Sequence, residues 1–298
     1  MSSLQEIKSR MNSIRDTQKI TNAMYLISSA KLNRARTEWG KTRPYFDALR
    51  TEIERLFRTD RQLTSRVILK PDEPEPEGTW GCLVITADRG LAGAYNMNVL
   101  KEAQKLLDAH PDTRVFALGS YGLHYFRKRG IPTEPAVISM GTNPRLQDAR
   151  DLAMQIVEPF QNGEISQLYL VYSDMKNGMA QEAVATRLLP FHQTEFLTGE
   201  GADNTEYECV PGAAAVLDGI FPSFIVGYLY SALVDSYCCE QSARMTAMKS
   251  ANDNADSILH DLSIQYNRVR QTGITQEITE VSSGARAQQR KREQEGTV

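Results

Sequence analysis

The sequence predicts an α+α/β protein: a long antiparallel coiled coil of N- and C-terminal helices with a central Rossmann-like α/β domain. Three observations carry this expectation. Met1–Trp39 contains neither glycine nor proline. Ser223–Val298 contains no proline, and its only glycines are Gly227, Gly273, Gly284 and Gly296. Between these ends, apolar runs of strand length alternate with amphipathic segments of helix length, the pattern of a mostly parallel sheet covered by helices.

Residues 1–58 read as the N-terminal shaft helix. Steps of three and four from Leu4 reach Ile7, Met11, Ile14, Gln18, Thr21, Tyr25, Ser28, Leu32, Ala35, Trp39, Thr42, Phe46, Leu49, Ile53 and Leu56, and twelve of these sixteen positions are apolar. That is a sustained heptad seam, about 87 Å long if the helix runs unbroken to Arg58. Pro44 is expected to kink it. Gln18, Thr21 and Ser28 leave a polar break in the seam. Residues 59–79, with KPDEPEPEG, read as an acidic proline-rich linker that is neither helix nor core.

Residues 80–192 read as the α/β domain. WGCLVITA, TRVFALG and LYLVYS are its strands, VATRLLP adds an edge strand, and the helices follow from NMNVLKEAQKLLDAH, YGLHYFRKRG and PRLQDARDLAMQIVEPF. Residues 193–212 form an acidic, irregular connection. Residues 213–285 read as the C-terminal shaft helix. There Ala243, Ala247, Ala251 and Ala255 recur every four residues, so small side chains admit a second helix at close range. Helices this long with these sequences are marginal alone, so the two are expected to pack on each other. Residues 286–298 read as a charged tail, fraying into solvent.

Composition narrows the function. The net charge is −3 with 24% charged residues, yet residues 1–66 carry fourteen Lys/Arg against seven Asp/Glu. A basic helical end points to an acidic partner. The sequence shows no apolar run near 18 residues, so no membrane span is expected. Cys82, Cys209, Cys238 and Cys239 lack metal-ligand spacing and read as reduced thiols. The four histidines suggest neither a metal site nor a catalytic set, so no cofactor is expected. Lys8, Arg10, Arg15 and Lys19 could follow phosphates, but no nucleic-acid motif accompanies them.

ITADRGLAGAYN (Ile85–Asn96) sets glycines between a strand and a helix. Gly90 and Gly93 could bring backbone N–H groups to a phosphate, or they simply permit a tight turn. On the residues alone, a nucleotide-binding α/β protein and a coiled-coil scaffold both stay open.

IKSRMNSIRDTQKITNAMYLISSAKLNRA (Ile7–Ala35), ITADRGLAGAYN and ARMTAMKSANDNADSILHDLSIQYNRVRQTGITQEITEVSSGA (Ala243–Ala285) resemble, in this order, the gamma-subunit family of F-type ATP synthase. The resemblance implies a non-catalytic central rotor stalk. Its coiled coil would stand inside a ring of alpha and beta subunits, and its α/β domain on the c ring beside epsilon. It implies no nucleic-acid partner, and a membrane reached only through the complex, on the cytoplasmic face of a bacterial plasma membrane. By the same resemblance Lys19–Met24 faces the acidic beta loop, with Met24 at the sensitive point. Arg244, Gln276, Thr279 and Glu280 are the C-terminal contacts, and Asp88, Arg89, Gly90 and Gly93 belong to the epsilon and c-ring side. Family chains usually end soon after the residues matched by Ser283–Ala285, so residues 286–298 depart from the pattern.

Overall fold

The computed structural model describes residues 4–60, 63, 65–136, 138–141, 143–176, 180–196 and 209–295. Helix α1 spans Leu4–Thr59 and helix α5 spans Ala213–Glu295. Between them lie β1 (Ile68–Leu69), β2 (Trp80–Ile85), α2 (Tyr95–Ala109), β3 (Arg114–Leu118), α3 (Ser120–Lys128), β4 (Thr133–Pro135), α4 (Leu146–Gln161), β5 (Gln167–Lys176), β6 (Ala180–Leu189) and β7 (Phe191–His192). The chain divides into two compact units, residues 26–247 and residues 1–25 with 248–298.

In the larger unit the sheet order is β4-β3-β2-β5-β6. Four strands run parallel and β6 is antiparallel to β5. Alternation along each strand sends Cys82, Val84, Val115, Ala117 and Val171 to a face closed by α2 and Phe126 of α3. Leu83, Ile85, Phe116, Leu118, Leu168 and Leu170 point the other way, onto Leu152 and Ile156 of α4 and the apolar sides of α1 and α5. Both faces are covered, which is why these strands read as unbroken apolar runs.

Gly227 marks a close approach of the two helices: a Cβ on it would lie 2.0 Å from the Phe46 ring. Trp39 packs edge-on against Tyr230 with ring centroids 5.7 Å apart. Residue numbers rise along α1 as they fall along α5, so the pair is antiparallel. In the smaller unit the same sense holds. Gln18 Nε2 donates to Asp256 Oδ1 at 2.7 Å, and Thr21 hydrogen-bonds Asn252.

All sixteen seam positions of α1 are buried or half-buried. Ala255 is buried, and Ala243, Ala247 and Ala251 are half-buried.

Helix α1 runs on through Pro44, whose ring lies on the exposed side. Four expectations are corrected. The 59–79 segment contributes to the core after all: Leu63, Ile68 and Leu69 are buried, and β1 pairs in parallel with β7. Its acidic part stays outside, tied down where Gln167 Nε2 donates to the Pro76 carbonyl at 3.0 Å. Strand β4, which follows Pro132, is absent from the strands read in the sequence; its three residues are too few to show a period. Helix α5 runs to Glu295, so residues 286–295 continue the shaft helix past the expected end at residue 285, their Arg- and Gln-rich composition favouring helix. Finally, α5 does contain an 18-residue window apolar enough, by composition, to cross a membrane. Its inward residues Leu217, Phe221, Phe224, Ile225, Leu229 and Leu233 are core. The connection expected at 193–212 is a 3₁₀ turn over Gln193–Phe196, and residues 197–208 lie outside the described residues.

Candidate functional site

The turn between β2 and α2, residues 86–94, lies in the larger unit and is held at several points. Asn96 Oδ1 accepts from the Ala87 N–H at 2.9 Å. Asp88 Oδ1 accepts from the Ser120 backbone N–H at 2.9 Å and its hydroxyl at 3.1 Å, and Oδ2 accepts from Ser139 Oγ at 2.7 Å. Partial burial pushes the Asp88 carboxyl up, but the Ser139 and Ser120 hydrogen bonds outweigh it and hold the group below the usual range. Asp88 is therefore ionised at neutral pH and occupies the N-terminus of α3, where the helix dipole favours a negative charge. A phosphate brought to this corner would meet that charge, which argues against the nucleotide reading.

Gly119 keeps the corner tight. Its φ is +91°, and a Cβ there would sit 2.2 Å from the Thr86 carbonyl oxygen. Gly93 has φ +55°. More telling is Leu91, a leucine with φ +62° that is 64% exposed. Such a conformation costs a non-glycine residue about 1–3 kcal/mol and persists only where the surroundings over-determine it.

Part of that constraint comes from Arg244 on α5. Its Nη2 donates to the carbonyls of Arg89 at 3.2 Å and Gly90 at 3.1 Å, and Nε donates to Gly90 at 3.3 Å. Nη1 pairs with Glu240 Oε1 at 2.7 Å. Arg244 is 7% exposed and Glu240 4%. Burial pushes the Glu240 carboxyl above its ordinary range, and the Arg244 charge opposes that shift without cancelling it. Removing one member of a buried pair costs about 3–5 kcal/mol, because the other charge is left uncompensated.

Arg244 was grouped by resemblance with Gln276, Thr279 and Glu280. Within the chain the structure brings it to Arg89 and Gly90, with its three guanidinium nitrogens engaged there and by Glu240. Glu240 was missed, although its i, i+4 spacing to Arg244 was readable as a helical ion pair. Leu91 carried no sequence signal, since nothing local marks a leucine for positive φ.

The remaining residues lie in the smaller unit. Lys19 is exposed and pairs with Asp16 at 2.9 Å; Met24 is half-buried. Gln276 Nε2 donates to Glu280 Oε1 at 3.2 Å, and Thr279 Oγ1 donates to the Thr275 carbonyl at 2.8 Å. Ile274, Ile278 and Val281 are 48%, 63% and 74% exposed on the same stretch of α5. Gln18 and Thr21 turn to α5, so the polar break in the seam is answered by the polar residues Asn252 and Asp256. Among the described residues no group of three or more His, Cys, Asp or Glu is placed to hold a metal ion. Cys82 is buried, which pushes its thiol up to about 12, an inert core position.

The family model described as ATP synthase matches residues 3–288. The ATP synthase gamma chain of Exiguobacterium sibiricum is 37% identical over 292 residues, covering 97% of this chain and 100% of that one. The gamma chain of Alkaliphilus metalliredigens is 38% identical, covering 95% and 98%. In fold, the chain is similar to one from the Euglena gracilis mitochondrial ATP synthase OSCP/F1/c-ring structure, with TM-score 0.66, 16% identity and coverage of 95% and 94%. A chain of the Tetrahymena thermophila mitochondrial ATP synthase central stalk/c-ring structure gives TM-score 0.56 and 22% identity, covering 78% and 99%.

Antiparallel terminal helices, a Rossmann-like domain and this full-length likeness define the class: a non-catalytic rotor-stalk subunit of a rotary ATPase. The chain belongs to the ATP synthase gamma-chain family.

Proposed function

We propose that this chain is the turning element through which a membrane ring drives the catalytic sites of ATP synthase, acting by protein contact alone. The full-length family match carries the reading. Its partners are the alpha and beta subunits, epsilon and the c ring. Lys19 and Met24 on α1, with Gln276, Thr279 and Glu280 on α5, face the alpha and beta ring. The turn at Asp88, Arg89, Gly90 and Gly93 belongs to the epsilon and c-ring side. Arg244 belongs with the alpha and beta ring contacts by the same resemblance, while also tying α5 to the 86–94 turn. As a member of the F1 assembly the chain is a peripheral, membrane-associated subunit, here placed on the cytoplasmic face of a bacterial plasma membrane.

The physics suits a shaft. Two different helices present different residues in each direction, so three like sites around them meet unlike surfaces. Converting a two-state site from 1:99 to 99:1 takes about 5.5 kcal/mol of differential contact. The exposed apolar residues Ile20, Leu26 and Ile27, 62%, 59% and 57% exposed, with Ile278 and Val281, offer contact area for that work. Purification of the native complex tests the reading. The expected result is one copy of this chain per three alpha and three beta subunits. A chain isolated without them, or present in equal number, would refute it.

A further inference from the structure

We propose that Arg244, braced by Glu240, is a positioning residue for rotary coupling: it locks the 86–94 turn to α5 so that the turn's exposed tip moves with the helix. The proposal rests on the rotor reading and adds an internal link to it. The turn is nine residues long, from the end of β2 at Ile85 to the start of α2 at Tyr95. A loop of that length would ordinarily yield when pushed. This one is fixed by Asp88 to Ser120 and Ser139 and by Asn96 to Ala87. Those ties all lie within the α/β domain. Arg244 reaches the turn by hydrogen bonds from α5, 154 residues further along the chain, beside the apolar packing of Cys239 and Ala243 near Ala87 and Ala92.

The chemistry is that of a clamp. A guanidinium is planar and carries its donors in a rigid fork, so it can hold two successive carbonyls and a carboxylate at once. Glu240 lies one helical turn back and fixes the fork's direction. Leu91, next after the gripped Gly90, is thereby presented outward at positive φ. A backbone outlier maintained at an exposed tip is the mark of a shaped contact, and only a rigid support makes such a tip useful for passing on motion.

The test uses Arg244→Lys and Glu240→Gln in the complex with alpha and beta subunits. Lysine keeps a charge facing Glu240 but cannot span both carbonyls. Amide exchange at residues 88–93 should speed about ten-fold or more, with α2 unchanged. The ratio of ATP-driven proton transport to ATP hydrolysis should fall about two-fold or more. Unchanged exchange overturns the proposal. So does faster exchange with an unchanged ratio, which leaves the clamp a matter of stability only. If Arg244→Lys fails to assemble, Leu91→Gly loosens the tip without touching α5. It should lower the same ratio, and an unaltered ratio there also overturns the proposal. Absence of alpha and beta from the unaltered chain's complex would refute the rotor reading instead.

Discussion

Helices α1 and α5 pair in both compact units, yet the two pairings are built from different chemistry. In the larger unit the contact is aromatic and close: Phe46 fills the space a Gly227 side chain would take, and Trp39 meets Tyr230. In the smaller unit the contact is thin. Among the described residues its buried apolar side chains are Ile7, Met248, Ala255 and Leu262, and Gln18, Thr21, Asn252 and Asp256 join across it. The difference teaches that one pair of helices can be an anchor along one stretch and a lightly held pair along another. Polar pairs fix register at little net stability, which suits a segment whose outer surface is meant for other subunits.

The largest effect that could break this comparison is Phe57→Ala. Phe57 is fully buried and packs on Phe196, with ring centroids 5.6 Å apart. It should cost about 3–5 kcal/mol, whereas Leu262→Ala in the thin pairing should cost about 2 kcal/mol. Chemical denaturation measures both, and equal losses would erase the contrast.

Next comes Asp235, which burial and the Asp174 charge push up from 3.8 to about 6. A raised folded value stabilises below the unfolded one and is lost as pH rises through about 6. Asp235→Asn should therefore gain up to about 3 kcal/mol at pH 7.5 and almost nothing near pH 4. A pH-independent difference would contradict the burial.

Glycines give a sharper pair. Gly227→Ala should lose about 2 kcal/mol by overpacking against Phe46. A Cβ at Gly273 meets nothing within 4 Å, so Gly273→Ala should gain about 0.5–1 kcal/mol from helix propensity. Thermal unfolding shows both signs. The smallest effect is Thr21→Val with Asn252→Leu. Replacing both partners should change stability by about 1 kcal/mol or less, and a loss of several would make this polar contact an anchor too.

Much of the fold was legible because it is periodic. Every seam position from Leu4 to Leu56 lies inward on α1, although the fully buried Phe57 is not among them, and the strands at residues 80–87, 113–119 and 168–173 each correspond to a sheet strand. Short or non-local features were not legible. The pairing of β1 with β7 joins Ile68 to Phe191, and no local pattern announces a two-residue strand. At the site, the motif ITADRGLAGAYN named the turn, and Arg244 was singled out. Their meeting was hidden because Arg89 and Arg244 lie 155 positions apart.

By itself, the sequence determined that two glycine-poor ends are helices with inward stripes and that an α/β domain lies between them. These follow from backbone freedom and hydrophobic period, which are local quantities. Only the tertiary structure decided where Arg244 goes, why Gly227 is a glycine and what answers Gln18 and Thr21. Each depends on the atom across the interface. A side chain's role there is set by the partner that satisfies or excludes it, and the chain brings that partner close only by folding.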